Sequence, residues 1–149
     1  MNVVVDNVGP NSADMYWTGS PDAAFWTLSF KAANESEWTE ISVTSPTYHF
    51  SDLTALTTYT VQLQSASGDS EFSSITYTSF LTPACETTDQ CIYTFDLADS
   101  WGDGWNGAYI SVMQSGVAIA TVTLNNGNSS TQTVGLCNNE NISLVWNTT

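Results

Sequence analysis

The sequence has almost no positively charged side chains. It contains fifteen Asp and Glu residues but only one Lys, Lys31, and no Arg, so its formal net charge is −14 at pH 7. Proteins bind nucleic acids and anionic membrane surfaces mainly through Lys and Arg. The composition therefore all but excludes nucleic acid as a partner, and it leaves a cation, a neutral glycan or a protein surface as the expected ligand.

Long apolar runs are also absent. No stretch of the sequence approaches the roughly 20 consecutive apolar residues that a membrane-spanning helix needs, and Met1 leads directly into an alternating strand pattern rather than a secretory signal. With 42% hydrophobic residues in 149, the chain can build one ordinary core or two small ones. We therefore expect a folded protein with no membrane insertion.

Cysteine is scarce, and the number of cysteines is odd. Cys85, Cys91 and Cys137 all lie in the second half, and they lack the fourth Cys or the His that a zinc site usually requires. One disulfide and one free thiol indicate an oxidising compartment, so we predict an extracellular or cell-surface protein. Cys91 begins one predicted strand and Cys137 precedes another. The first-choice disulfide is therefore Cys91–Cys137, with Cys85–Cys91 as a local alternative.

The remaining pattern is β throughout. Runs rich in Thr, Val, Tyr, Trp and Phe alternate with turn residues at intervals of about 8 to 12, which is typical of β-sandwiches. The strands predicted in the first half are 3–8, 12–17, 25–32, 38–43, 47–52, 59–65 and 74–81. Those predicted in the second half are 91–97, 108–113, 117–124, 130–134 and 142–146. A polar, proline-containing segment, 83–89, separates the two sets.

We therefore predict an all-β chain of two small sandwich domains in tandem, covering 1–82 and 90–149, with 83–89 as a linker. In the second domain, two strands each have one apolar face, which we expect to be buried between sheets. The residues of these faces are Tyr93, Phe95 and Leu97 in one strand and Ile142, Leu144 and Trp146 in the other.

Residues 2–82 resemble a fibronectin type III domain. Trp17 stands where the family has a core tryptophan, and the segment 53–61 matches the family's leucine, turn and corner tyrosine, with Ala55 in place of the usual proline. The resemblance implies that the Tyr59 hydroxyl bonds to the backbone upstream. Such domains are mostly spacers or protein-binding modules. The lone His49 is expected to be a half-exposed surface residue rather than a catalytic base.

One loop concentrates two carboxylates, an amide, three glycines and two tryptophans. Its sequence is Asp99-Ser100-Trp101-Gly102-Asp103-Gly104-Trp105-Asn106-Gly107. Glycine permits positive φ, and Asp and Asn close turns with their side chains, so the loop can fold tightly and direct several oxygens inward.

Three interpretations of this loop stay open. In the first, Asp99, Asp103 and Asn106 bind calcium, with Asp96 nearby and backbone carbonyls completing the ligand set, although the spacing is not that of an EF-hand. In the second, the same side chains cap backbone amides while the tryptophans fill the end of the sandwich. In the third, Trp101 and Trp105 are exposed and stack on sugar rings.

The strand Cys91-Ile92-Tyr93-Thr94 and the loop 99–107 together resemble a β-sandwich module repeated at the ends of large secreted proteins of the Bacteroidota. The resemblance implies a jelly-roll-like fold and an accessory or adhesive role beside fibronectin-like domains. The family pattern continues past 142–146 with a further strand, whereas this chain ends at Thr149. We expect either a fragment or a neighbour that supplies the strand by β-augmentation.

These observations favour a non-catalytic extracellular binding module, stabilised by calcium, that contacts glycan or protein. The alternative is a structural subunit that associates with copies of itself by strand complementation. A third hypothesis is an accessory fragment of a secreted enzyme. No catalytic residues are predicted, because the two loop carboxylates, Asp99 and Asp103, have no substrate cleft in so small a domain.

Overall fold

The computed structural model describes residues 1–19, 21–68 and 71–149. Contacts divide the chain into two compact units, Met1–Pro83 and Ala84–Thr149. Both units consist of β-strands, and the one helical element among the described residues is a short 3-10 turn at Thr87–Asp89. Over the same residues, no helix has the length and apolarity required to cross a bilayer. The predicted all-β class is confirmed.

The first unit is a sandwich of two antiparallel sheets. Its strands are β1 (Val3–Asp6), β2 (Ala13–Trp17), β3 (Phe25–Ala32), β4 (Thr39–Val43), β5 (Thr47–Phe50), β6 (Thr58–Ser67), β7 (Glu71–Phe72) and β8 (Thr76–Leu81). One sheet has the order β1-β2-β5, and the other has the order β4-β3-β6 with both β7 and β8 pairing to β6. The two-residue β7 was not predicted, because it is too short to show any alternation.

The core of the first unit follows from alternation along β2 and β6. Met15 and Trp17 of β2 and Val61 and Leu63 of β6 point inward and are buried, whereas the residues between them are more exposed. Trp17 packs edge-on against Trp26 at 5.8 Å between ring centroids. The expected burial of Trp17 is therefore confirmed.

A tyrosine corner closes one end of this sandwich. The hydroxyl of buried Tyr59 accepts a hydrogen bond from the backbone N–H of Thr54, 2.9 Å away, and the ring stacks on Phe80. The hydroxyl of Thr82, which is also buried, donates to the carbonyl oxygen of Thr54 at 2.6 Å. The predicted role of Tyr59 is confirmed, and the turn forms with Ala55 in place of proline.

The second unit has five strands in two sheets. They are β9 (Gln90–Ala98), β10 (Tyr109–Gln114), β11 (Val117–Val122), β12 (Ser129–Cys137) and β13 (Ile142–Asn147). One sheet is the pair β12-β9 and the other has the order β11-β10-β13. The two sheets enclose a small apolar cluster of Leu97, Val112, Val122, Leu124, Val134 and Leu136.

The expected burial of both apolar faces is only half right. Phe95 and Leu97 of β9 pack in or against the cluster, but Tyr93 of the same predicted face is 52% exposed. By contrast, Ile142, Leu144 and Trp146 of β13 are between 44% and 54% exposed. β13 is the edge strand of its three-stranded sheet, and the facing sheet, which has only the strands β12 and β9, leaves these side chains partly exposed. Alternation along a strand identifies a face but cannot say whether another sheet covers it.

The predicted disulfide Cys91–Cys137 is wrong. The bond joins Cys85 to Cys137, with 5.9 Å between Cα atoms, and Cys91 is free and exposed. The cause is the register of β9 and β12, in which Cys91 lies opposite Leu136 and Cys137 lies opposite Gln90. Successive residues point to opposite faces of a sheet, so the side chains of Cys91 and Cys137 lie on different faces.

The same disulfide anchors most of the segment that was predicted as a linker. Residues 84–89 belong to the second unit, where they contain the 3-10 turn Thr87–Asp89. Cys85 is thereby tied to the end of β12.

Tyr59→Phe should destabilise the first unit by about 1–2 kcal/mol, because the partly buried N–H of Thr54 loses its acceptor while the ring packing is kept. Urea unfolding measures the change. Tyr77→Phe is the matched control, since Tyr77 is 63% exposed, and it should change stability by less than about 0.5 kcal/mol. Equal effects of the two variants would contradict the role assigned to the corner.

Cys85→Ser should lower the stability of the second unit by about 2–4 kcal/mol, because it opens a covalent loop with a sequence separation of 52. The control is Cys91→Ser, which removes an exposed thiol that is in no disulfide and should leave the unfolding midpoint unchanged. If Cys91→Ser were the more damaging substitution, Cys91 rather than Cys85 would be the partner of Cys137.

Candidate functional site

The loop 99–107 connects β9 to β10, and it is organised around Asp99. One carboxylate oxygen of Asp99 accepts hydrogen bonds from the backbone amides of Gly102 (2.7 Å) and Asp103 (3.1 Å). The backbone N–H of Asp99 donates to the carbonyl oxygen of Asn128 at 2.8 Å. Asp99 therefore closes the turn and also joins it to the connection between β11 and β12.

These bonds determine the charge state of Asp99. Desolvation is the largest single influence and raises the pKa of the carboxyl group, but the surrounding amides together outweigh it, so the pKa lies below its ordinary value. The amides belong to Gly102, Trp101, Asp103 and Gly104. Asp99 is therefore ionised at neutral pH, and its negative charge faces N–H dipoles.

Gly104 allows the loop to pack closely against its neighbour. Its φ is +83°, and a Cβ at this position would lie 2.6 Å from the carbonyl oxygen of Leu124 and 2.7 Å from the carbonyl carbon of Asn125. Only glycine fits this position without moving the backbone. The next residue, Trp105, donates its backbone N–H to the carbonyl oxygen of Leu124 at 2.7 Å.

The two tryptophans of the loop have different environments. The indole nitrogen of Trp105 donates to the carbonyl oxygen of Ala98 at 3.0 Å, and its ring lies 4.8 Å from that of Trp146. Trp105 is half-buried against the apolar cluster and fixes the loop to the sandwich. Trp101, in contrast, is 90% exposed. Of the two residues predicted as a sugar platform, the structure presents Trp101 to solvent.

The four predicted calcium ligands have different partners. The side-chain amide of Asn106 donates to the Asp103 carboxylate over a long 3.4 Å, so these two residues are brought together. The Asp99 carboxylate accepts a hydrogen bond from the backbone amide of Asp103. Asp96 lies on β9, where it accepts a hydrogen bond from the Thr131 hydroxyl. Across 1–19, 21–68 and 71–149, no three His, Cys, Asp or Glu side chains converge as metal ligands would.

His49 is exposed and pairs with Asp14, with 2.7 Å between Nδ1 and the carboxylate oxygen. The hydrogen bond from His49 is the main influence that lowers the pKa of Asp14, and a bond from Asn7 adds to it. An exposed pair of this kind contributes little to stability. The expected position of His49 on the surface is confirmed.

Asp99→Ala should free the amides of Gly102 and Asp103 and increase their hydrogen-exchange rates, measured by NMR. Asp103→Ala is the control, because it removes only the long bond from Asn106 and should leave these amides protected. Because folding lowers the pKa of Asp99, the ionised carboxylate stabilises the loop at pH values above about 3.9, the ordinary pKa of an Asp side chain. This stabilisation is lost as the pH falls through the folded-state pKa of Asp99.

In the native chain, protection of these amides should therefore fall in acid, below the ordinary pKa of a carboxyl group, and in Asp99→Ala this pH-dependent step should be absent. An identical acid transition in both proteins would contradict the assignment of the turn to the Asp99 carboxylate.

Several solved structures resemble this chain. An FN3 domain of the human collagen alpha-1(XX) chain matches with a TM-score of 0.52 and 24% identity, over 56% of this chain and 83% of that one. A segment of two fibronectin type III domains from chicken tenascin matches with a TM-score of 0.51 and 13% identity, over 99% and 98%. A computationally redesigned β-sandwich protein matches with a TM-score of 0.52 and 23% identity, over 58% and 95%.

No protein-family model matches the chain, and no curated protein matches it. The resemblance of the second half to the Bacteroidota module stays a prediction. At these identities the structural likeness concerns the fold alone, and it establishes that the chain has a fibronectin type III-like β-sandwich fold.

Proposed function

We propose that this protein is a non-catalytic extracellular binding module that contacts a neutral ligand, glycan or protein surface, through Trp101. The observation that carries the proposal is that the Trp101 side chain is 90% exposed on a loop whose backbone is held from both sides. Asp99 anchors the residues after Trp101 through their amides, and Trp105 anchors the far side of the loop through Ala98 and Trp146.

A rigid loop with an exposed indole is well suited to binding. Ordering a flexible segment on binding costs conformational entropy, and a loop that is already fixed avoids much of that cost. The flat indole offers a face on which a sugar ring or an apolar side chain can stack. Asp103 and Asn106 are exposed in the same loop and provide hydrogen-bonding groups for hydroxyls.

The charge of the chain restricts the ligand. A net charge of −14 repels anionic polymers at moderate ionic strength, so a neutral glycan or a neutral or basic protein surface is favoured. The Cys85–Cys137 disulfide agrees with an oxidising compartment. Similarity of fold to domains of collagen XX and tenascin supports an extracellular, non-enzymatic role.

Calcium is a separate part of the proposal. Asp103 and Asn106 lie in contact, and Asp99 has a second carboxylate oxygen besides the one that accepts the Gly102 and Asp103 amides. These three side chains, completed by backbone carbonyl oxygens, are the ligands that we assign to calcium, which prefers six to eight oxygens. Bound calcium would neutralise part of the loop's charge and rigidify the base below Trp101.

Trp101→Ala should weaken binding to immobilised neutral polysaccharides by about tenfold or more, the loss expected for one aromatic stacking contact with a sugar ring. Its unfolding midpoint should stay unchanged because the side chain is exposed. The control is Trp38→Ala, which removes a less exposed tryptophan that packs under Lys31 in the first unit. If Trp101→Ala binds every polysaccharide and protein ligand of the native chain equally well, the proposed role of Trp101 is wrong.

Thermal unfolding in excess calcium and in excess chelator tests the metal separately. Calcium at about 100 times its Kd should add about 2.7 kcal/mol to stability, and this gain should vanish when Asp99→Ala and Asp103→Ala are combined. Equal stability in calcium and in chelator would refute the calcium site. It would not affect the proposed role of Trp101, which the binding experiment tests.

A further inference from the structure

One side of the second unit is open, although its side chains face the interior of the sandwich. In the register of β13 with β10, Leu144 lies opposite Val112, which is fully buried, so both occupy the inner face of their sheet. In the other sheet, Tyr93 of β9 lies opposite buried Val134 and shares its inner face. Yet Leu144 is 54% exposed and Tyr93 is 52% exposed. The open side is the surface formed by the inward-facing residues Tyr93, Ile142, Leu144 and Trp146, and the exposed Cys91, opposite buried Leu136, lies on the same face.

Both strands that border this surface have a free edge. In the sheet orders, β13 is terminal beside β10 and β9 is terminal beside β12, and among the described residues no further strand pairs with either. Trp105 shows that these edges lie on the same side, because it donates to the backbone of β9 at Ala98 and packs against β13 at Trp146. The opposite side is closed by Gln132 of β12, whose side chain bonds the backbone of Thr123.

The free edges also lack the features that usually prevent strands from pairing between molecules. Edge strands are commonly protected by charged side chains, proline or bulges. The run 91–95 of β9 and the whole of β13 contain no charged residue, no proline and no glycine. In a chain with net charge −14, pairing along these runs places no carboxylate of either strand opposite a carboxylate of the second copy's strand.

We infer that the open side is the interface of a two-fold symmetric dimer, in which β13 pairs antiparallel with β13 of a second copy. This pairing joins the two three-stranded sheets into one continuous sheet. The pairing places the inward-facing side chains of both β13 strands on one surface. Because β9 borders the same side of each copy, the β9 edges of the two copies are brought towards each other. Each copy thus covers the apolar side chains that the other leaves exposed.

The exposed apolar side chains supply most of the area that such a dimer has to bury. A fully exposed aromatic side chain offers about 150–250 Å², so half-exposed Tyr93 and Trp146 with partly exposed Ile142 and Leu144 leave on the order of 300–400 Å² of apolar surface per copy. Two copies together can therefore bury roughly 600–800 Å² through these side chains. With the main-chain edges included, the total approaches the roughly 1,000 Å² that a specific interface buries at the least.

Sedimentation equilibrium of the full chain, from micromolar to millimolar concentration, tests the inference. The weight-average mass should rise from that of one chain to that of two, and added NaCl should strengthen association because it screens the repulsion between acidic copies. Leu144→Asp should weaken dimerisation by at least about tenfold, because it introduces a charge without a partner at the interface. The matched control is Tyr77→Asp, an exposed site in the first unit, which should dimerise like the native chain.

Cys91→Ser separates strand pairing from disulfide exchange, since this thiol is exposed and can oxidise between molecules. The dimer should persist in Cys91→Ser, and the amides of β13 should exchange more slowly at high than at low protein concentration. This exchange measurement needs no substitution in β13, so it tests the interface even if Leu144→Asp fails to fold.

A native chain that remains monomeric at millimolar concentration in high salt would overturn the inference. So would a dimer that disappears in Cys91→Ser, or one that forms without any added protection of β13. Trp101 is not part of this interface, so none of these results would contradict the proposed binding function.

Discussion

A near-total lack of cationic partners for carboxylates constrains this whole structure. With one Lys and one His against fifteen acidic residues, ion pairing cannot organise the surface, and the one ion pair among the described residues joins His49 to Asp14. Other carboxylates accept hydrogen bonds instead: Glu35 from the amide of Ala32, Asp96 from the Thr131 hydroxyl, and Glu140 from the Ser115 hydroxyl. Cohesion therefore rests on sheet hydrogen bonds and two small cores.

The loop 99–107 also relies on hydrogen bonds to a carboxylate in place of an ion pair. Its central carboxylate, Asp99, accepts hydrogen bonds from backbone amides rather than from a cationic side chain. The anchored backbone then gives its two tryptophans opposite roles, because Trp105 is held by Ala98 and Trp146 while Trp101 projects from the surface. Turn formation and ligand binding, considered as alternatives from the sequence, are compatible because they use different side chains.

Features that depend on local pattern could be predicted. The strands, the buried Trp17 and the Tyr59 corner all follow from alternation or from a short motif, and all are present. The disulfide could not be predicted, because a shift of one residue in the register of β12 with β9 would place Cys137 opposite Cys91. In the observed register Cys137 lies opposite Gln90, and it bonds to Cys85 instead. Likewise, the apolar face of β13 is visible in the sequence, but its exposure depends on which strands lie across from it.

The Cys85–Cys137 bond has a mechanical consequence. Tension that enters the second unit from its N-terminal end reaches Cys85 and passes through the sulfur bridge to Cys137, 52 residues further along the sequence, without loading the chain between them. An extended residue spans about 3.4 Å, so the bridge prevents roughly 180 Å of chain from extending when the molecule is stretched. The loop 99–107 lies inside the bridged segment, so its hydrogen bonds to Asp99 and Ala98 are shielded from the load, whereas β13 with Trp146 lies outside that segment and bears it.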